Sequence, residues 1–158
     1  MAALHIIYAT TSGHTEYVVD TLIAYLAEHA PEITVEKQRA EQATPEDMKR
    51  GDVLLLASGT WNTGSVEGQL SPQMHALLKE RAIAVDLGGK KVALIALGDD
   101  RYHFTVGALA HLEEFVQTHN GQIIGTPLRI INEPYGQEKA VTDWIDLITK
   151  NYQLKTTN

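Results

Sequence analysis

Apolar residues follow two rhythms along this chain. In ALHIIYA (3–9), DVLLLAS (52–58) and KVALIAL (91–97) they run almost unbroken, the pattern of strands buried on both faces. ITVEK (33–37) alternates as an edge strand does, and GQIIGTPLRII (121–131) reads as a strand interrupted at Pro127. Between the strands the rhythm changes to steps of three and four, which predicts amphipathic helices. Val18, Val19, Leu22, Ile23 and Leu26 form the first stripe, and Pro31 ends it. Met74, Leu77, Leu78 and Ala82 form the second, behind Ser71 as N-cap and Pro72 as first helical residue. Val106, Leu109, Leu112 and Val116 form the third, with Asn120–Gly121 as its stop. Ala140, Val141, Trp144, Ile145 and Ile148 form the last, and the tail QLKTTN reads as frayed.

Strands that alternate with helices and are apolar on both faces imply an α/β fold with a parallel sheet covered on both sides. Such sheets bind ligands beyond the carboxyl ends of their strands, where the strand order reverses. Three loops leave those ends: residues 10–15, 59–68 and 98–105. If they form a site, they converge on one ligand.

The 158 residues suit one domain, residues 1–158, and bury roughly 70% of the unfolded surface without staples. There is no cysteine, so thiol chemistry, Fe–S clusters and zinc ribbons are excluded, and any redox chemistry needs a bound cofactor. The net charge of −7 disfavours nucleic acid and anionic membrane and suits basic protein partners. No apolar run approaches ~18 residues. MAALHIIYATT has neither basic n-region nor cleavage pattern, so the expected location is the cytoplasm.

The first loop, in ATTSGHTEY (9–17), is rich in hydroxyls and has one glycine but no Lys or Arg. It sits where strand one meets helix one. A helix N-terminus offers unpaired N–H groups and about half a positive charge, so it holds an anion without a side-chain cation. Thr10, Ser12 and Thr15 add donors, and Gly13 admits close approach. A Walker loop would need a Lys and a second Gly. An ordinary N-cap is the other reading of the same residues. The second loop, SGTWNTGSVEG, sets Trp61 among Gly59, Gly64 and Gly68; the third, LGDDRYHFT, carries Tyr102 and Phe104. Trp61 is either a core lid over the sheet's end or a flat face for a planar ligand. An aromatic in each of two flanking loops, beside an anion nest, describes a ring system sandwiched between Trp61 and Tyr102.

These residues resemble the flavodoxins. TTSGHTEY is similar to their phosphate loop, TWNTG to their second flavin loop, and GDDRY with HFTVGALAHLEEF to their third loop and following helix. The match runs from residue 3 to about residue 150 and lacks the insertion of the long-chain type. The resemblance implies a flavodoxin-like three-layer sandwich, a five-stranded parallel sheet in order 2-1-3-4-5 with helices on both faces, and one FMN. It places the phosphate on Thr10, Thr11, Ser12, Gly13, His14 and Thr15. Gly59, Thr60, Trp61, Asn62, Thr63 and Gly64 follow the dimethylbenzene and N5 side, and Leu97, Gly98, Asp99, Asp100 and Tyr102 the pyrimidine edge. It implies that the Asn62 carbonyl turns to accept a hydrogen bond from N5 on one-electron reduction. His14, Asn62 and Arg101 depart from the usual pattern, and Arg101 would weaken the negative field around the flavin.

The function so implied is a low-potential one-electron carrier, not an enzyme. It would act as a monomer between a reductase and acceptor proteins with basic docking surfaces. An FMN-dependent quinone reductase on the same fold is the alternative. A receiver domain fails, because Thr10–Thr11 and Ser58–Gly59 stand where acids are needed. Seven histidines, at 5, 14, 29, 75, 103, 111 and 119, form no HxH or HxxxH pair, so no metal is expected. Ser58 and Ser65 lack a nucleophile-elbow setting.

Overall fold

A computed structural model describes residues 2–103, 105–152 and 154. Strand β1 (Ala3–Ala9) leads into helix α1 (His14–His29), which returns to β2 (Thr34–Arg39). β3 (Val53–Ser58) is followed by a two-stranded ribbon, β4 (Thr60–Trp61) with β5 (Gln69–Leu70), and by α2 (Pro72–Ala76). β6 (Lys91–Gly98), α3 (Ala108–Thr118), β7 (Gln122–Ile123), β8 (Leu128–Ile131) and α4 (Glu138–Asn151) complete the chain. The main sheet is parallel, in order β2-β1-β3-β6-β7, with β8 also on β6.

Alternation along the central strands splits the core in two. Ile6, Tyr8, Leu55, Ala57 and Ile95 pack towards the stripes of α1 and α4, Val18, Leu22, Trp144 and Ile145 among them. Ile7, Ala9, Leu54, Leu56, Leu94 and Ala96 pack towards Met74, Leu77, Leu112 and Val116 of the α2 and α3 side. A parallel strand buried on both faces has no polar side to spare, which is why these segments read as unbroken apolar runs.

The interrupted strand is a fifth strand in two pieces, β7 on Lys91–Val92 and β8 on Ile95–Gly98. Pro127 has no N–H for the ladder, and Gly125 between the pieces has φ 67°. Helix α4 and the turn after it supply the missing partners. The Tyr152 hydroxyl accepts from the Gly125 N–H at 2.8 Å, and the Trp144 indole donates to the Thr126 carbonyl at 2.6 Å.

Several expectations need adjusting. Leu154 is not frayed: it is 4% exposed and its N–H reaches the Thr149 carbonyl at 3.0 Å. Gln153 and residues 155–158 lie outside the described residues. Ala140 faces solvent, and Val106 precedes α3, whose N-cap is Gly107. Ser71 is the N-cap of α2, but its hydroxyl bonds to the Gly59 carbonyl at 3.3 Å rather than capping the helix. Beyond Ala76 the helix widens into one π turn, Leu77–Arg81, while its stripe stays buried.

His5, at the sheet's other end, is 3% exposed, and its Nε2 lies 3.2 Å from the Gln38 side-chain oxygen. Burial above all holds its pKa below the ordinary 6.5, against the Gln38 bond, with Arg50 adding to the depression. The unfolded chain therefore takes up this proton more readily than the folded one. Stability contributed by the neutral ring is complete above about pH 6.5 and is lost as pH falls below that value. Urea midpoints measured from about pH 7.5 to 5.5 should fall, and the fall should be smaller in His5→Gln. A midpoint that stays level across that window in the unaltered protein would contradict this account.

Candidate functional site

The turn from β1 to α1 is closed by Thr10, whose Oγ1 accepts the Gly13 N–H at 2.9 Å. Gly13 is the N-cap of α1, with φ 91°, a left-handed conformation that glycine adopts at little cost. The first helical bond runs from the Tyr17 N–H to the Gly13 carbonyl at 3.0 Å. The N–H groups of His14, Thr15 and Glu16 therefore lie in the turn that has no intrahelical acceptors. Thr11 and Ser12 are exposed, and Thr15 is buried. The His14 ring meets Tyr135 edge-on at 5.7 Å, and Tyr135 leans on Tyr17 at 4.8 Å.

The second loop hangs on the β4–β5 ribbon. The Thr60 hydroxyl donates to the Leu97 carbonyl at 2.8 Å and accepts the Ala108 N–H at 3.2 Å, tying the loop to β6 and α3. Trp61 is 42% exposed, too open for a core lid. The Asn62 carbonyl accepts the Ser65 N–H at 2.9 Å, and Asn62 itself has φ −94°. The left-handed positions of this turn are Gly64 (φ 69°) and Ser65 (φ 64°). Any strain therefore sits two and three residues beyond the position the sequence singled out. Turning the Asn62 carbonyl towards a ligand must break its bond to Ser65.

The third loop closes over Gly98. The Asp99 N–H reaches the Thr105 carbonyl at 3.2 Å, and the Asn132 N–H reaches the Gly98 carbonyl at 2.7 Å. Asn132, at φ 69°, grips the loop twice more: its Oδ1 accepts the Asp100 N–H and its Nδ2 donates to the Asp100 carboxylate, both at 3.1 Å. Arg101 folds back on Asp99, its Nε 2.9 and 3.0 Å from the two carboxylate oxygens. That pairing, with the Arg101 N–H, brings the Asp99 pKa down to about 2. The positive charge of Arg101, at the cavity wall, is thus paired with Asp99. Tyr102 is 55% exposed. Phe104 lies outside the described residues.

The three loops bound one cavity of about 650 Å³, within the range of cofactor pockets. Thr10, Thr11, Ser12, His14 and Thr15 line one part of it. Gly59, Thr60, Trp61, Asn62, Leu97, Gly98, Asp99, Asp100 and Tyr102 line the rest. Gly13, Thr63 and Gly64 are not part of that lining. The Gly13 N–H is taken by Thr10, the Thr63 hydroxyl donates to the Leu70 carbonyl at 2.6 Å, and Gly64 sits at an open turn.

Glu67, Gly68, Thr105, Asn132 and Glu133 also line the cavity. The last two belong to a fourth loop, after β8, that the sequence reading did not count. The rule that points to carboxyl ends of strands applies to β8 as well and could have found it. Among the described residues, Arg101 is the one Lys or Arg in a lining that also holds Glu67, Asp99, Asp100 and Glu133.

Fold and cavity together define a doubly wound protein with a cavity bordered by a helix N-terminus and by two exposed aromatics on separate loops. Residues 6–144 match the family model for flavodoxin. A flavodoxin of Maridesulfovibrio salexigens is 32% identical over 142 residues, covering 88% of this chain and 91% of that one. A probable flavodoxin 2 of Bacillus subtilis is 30% identical over 142 residues, covering 88% of each. A crystal structure of Fusobacterium nucleatum flavodoxin bound to flavin mononucleotide shares the fold at TM-score 0.75 and 20% identity, covering 96% of this chain and 99% of that one.

The chain belongs to the flavodoxin family. It is an FMN-binding electron-transfer protein rather than an enzyme, and it exchanges electrons with redox partner proteins; the quinone-reductase alternative is not favoured. Among the described residues, no helix is long and apolar enough to cross a membrane.

Proposed function

We propose that this chain is a short-chain, monomeric carrier of the cytoplasm that docks basic partner surfaces on the acidic rim around its cavity. The FMN phosphate lies on the loop from Thr10 to Thr15, held by helix N–H groups and hydroxyls. The isoalloxazine ring lies between Trp61 and Tyr102. Its N5 side follows Gly59 to Gly64 and its pyrimidine edge Leu97 to Tyr102. When bound, FMN supplies the one-electron chemistry. The chain's own part is to fix the phosphate, cover both ring faces and set the field. Glu67, Asp100 and Glu133 contribute negative charge there, while Asp99 and Arg101 offset one another.

One observation carries the reading: two large aromatics, 42% and 55% exposed, stand on separate loops around a single cavity that ends at a helix N-terminus. Rings left open to water are costly unless a flat partner covers them. Trp61→Ala and Tyr102→Ala should each weaken FMN binding by about 1–3 kcal/mol, the scale of aromatic stacking on flat rings. The measurement is quenching of flavin fluorescence on titration. Unchanged affinity in both variants would remove the sandwich from the proposal.

A further inference from the structure

Helix α1 offers its N-terminus to an anion, yet its own third residue, Glu16, is an acid. At that position a glutamate ordinarily reaches back over the helix end to the N-cap N–H, where the positive end of the helix favours it. There it would occupy the donors a phosphate needs and repel the phosphate charge.

In this protein Glu16 does neither. The N-cap N–H of Gly13 is taken by Thr10 at 2.9 Å. The Glu16 carboxylate turns the other way and accepts the Tyr8 hydroxyl at 2.6 Å and the Arg39 Nη2 at 3.1 Å. Tyr8 and Arg39 stand opposite one another in register on β1 and β2. Tyr8 is 3% exposed, so its hydroxyl is fixed by the core, and the Arg39 guanidinium lies 6.0 Å from the centre of its ring. The other charges on this face are engaged: Lys37 pairs with Asp20 at 2.7 Å, and Glu41 reaches Arg39 at 4.0 Å.

We propose that Tyr8 and Arg39 are positioning residues that hold the Glu16 carboxylate off the phosphate subsite, with Arg39 supplying, from β2, the charge that neutralises Glu16. The proposal rests on the FMN reading above. Arg39 touches Glu16, and Glu16 sets the potential at the nest. The arrangement leaves the nest itself electrically neutral in its side chains while its neighbouring acid is both tethered and compensated.

The test uses FMN and riboflavin as probes, titrated by fluorescence against the purified apoprotein and its variants. Arg39→Met should weaken FMN binding roughly threefold to thirtyfold, the range for one uncompensated charge within a Debye length, and leave riboflavin binding unchanged. Arg39→Lys should restore FMN binding, and Tyr8→Phe should weaken it in the same selective way. In a Glu16→Gln background Arg39→Met should have no effect on FMN. Equal losses for FMN and riboflavin in Arg39→Met, or an FMN loss that persists in the Glu16→Gln background, would overturn the proposal. Unaltered protein that binds both flavins equally would overturn the phosphate reading itself, a separate result.

Discussion

Titrated side by side, FMN binds this protein on the order of a hundredfold or more tighter than riboflavin. The two ligands differ by one phosphate, so the ratio isolates the loop from Thr10 to Thr15. A hydrogen bond to a charged group contributes about 1.5–3 kcal/mol, and every 1.4 kcal/mol or so is tenfold in affinity. Two such bonds from the first turn of α1 suffice for the stated ratio, and the hydroxyls of Ser12 and Thr15, which line the same cavity, are expected to add to them. The Gly13 N–H adds nothing, because Thr10 already holds it. With no Lys or Arg in the loop, the preference comes from fixed dipoles rather than mobile charge. Comparable affinity for the two flavins would return the loop to an ordinary helix cap.

Gly98→Ala should cost FMN affinity at the upper end of about 1–3 kcal/mol, the usual range for overpacking a filled site. A Cβ at Gly98 would lie 1.4 Å from the Thr105 carbonyl oxygen and 2.5 Å from its carbon. The obstruction is backbone, so no rotamer change relieves it. Thr105 must move, and the bond from its carbonyl to the Asp99 N–H goes with it. The loop that carries Asp99, Asp100 and Tyr102 then loses its closure. Binding by fluorescence and melting of the apoprotein should both register the change. Wild-type affinity in Gly98→Ala would mean that the loop closes in another way once the cofactor is present.

The layers of this fold were legible because parallel strands buried on both faces leave an unbroken apolar run and because helix stripes keep one period. The split of the fifth strand was half legible: Pro127 marks it, but the hydrogen bonds that make it tolerable come from Trp144 and Tyr152, far along the chain. The aromatics of the cavity could be named because Trp61 and Tyr102 belong to no stripe. Asn132 could not, since its role depends on a left-handed backbone and on Asp100, 32 residues away in the chain. Arg101 was read as a bare charge because nothing in GDDRY says which acid it turns to. Ser71 was legible as the N-cap position, but not that its hydroxyl would donate to the Gly59 carbonyl without accepting a helix N–H. Pattern reports which face is buried, and it is silent on which partner a polar group selects.

The contact between Gly107 and Gly68 bears on how such a protein can be rebuilt. A Cβ on Gly107 would come within 2.5 Å of the Gly68 carbonyl oxygen, and the Thr60 hydroxyl bonds both the Leu97 carbonyl and the Ala108 N–H. The second loop, the end of β6 and the start of α3 are therefore fitted to one another through one backbone approach and one side-chain hydroxyl. A designer who transplants residues 59–68 from a relative to retune the cofactor imports a part cut for a different socket. The exchangeable unit is 59–68 together with 97–108, and a graft of either alone should be repaired by moving the other.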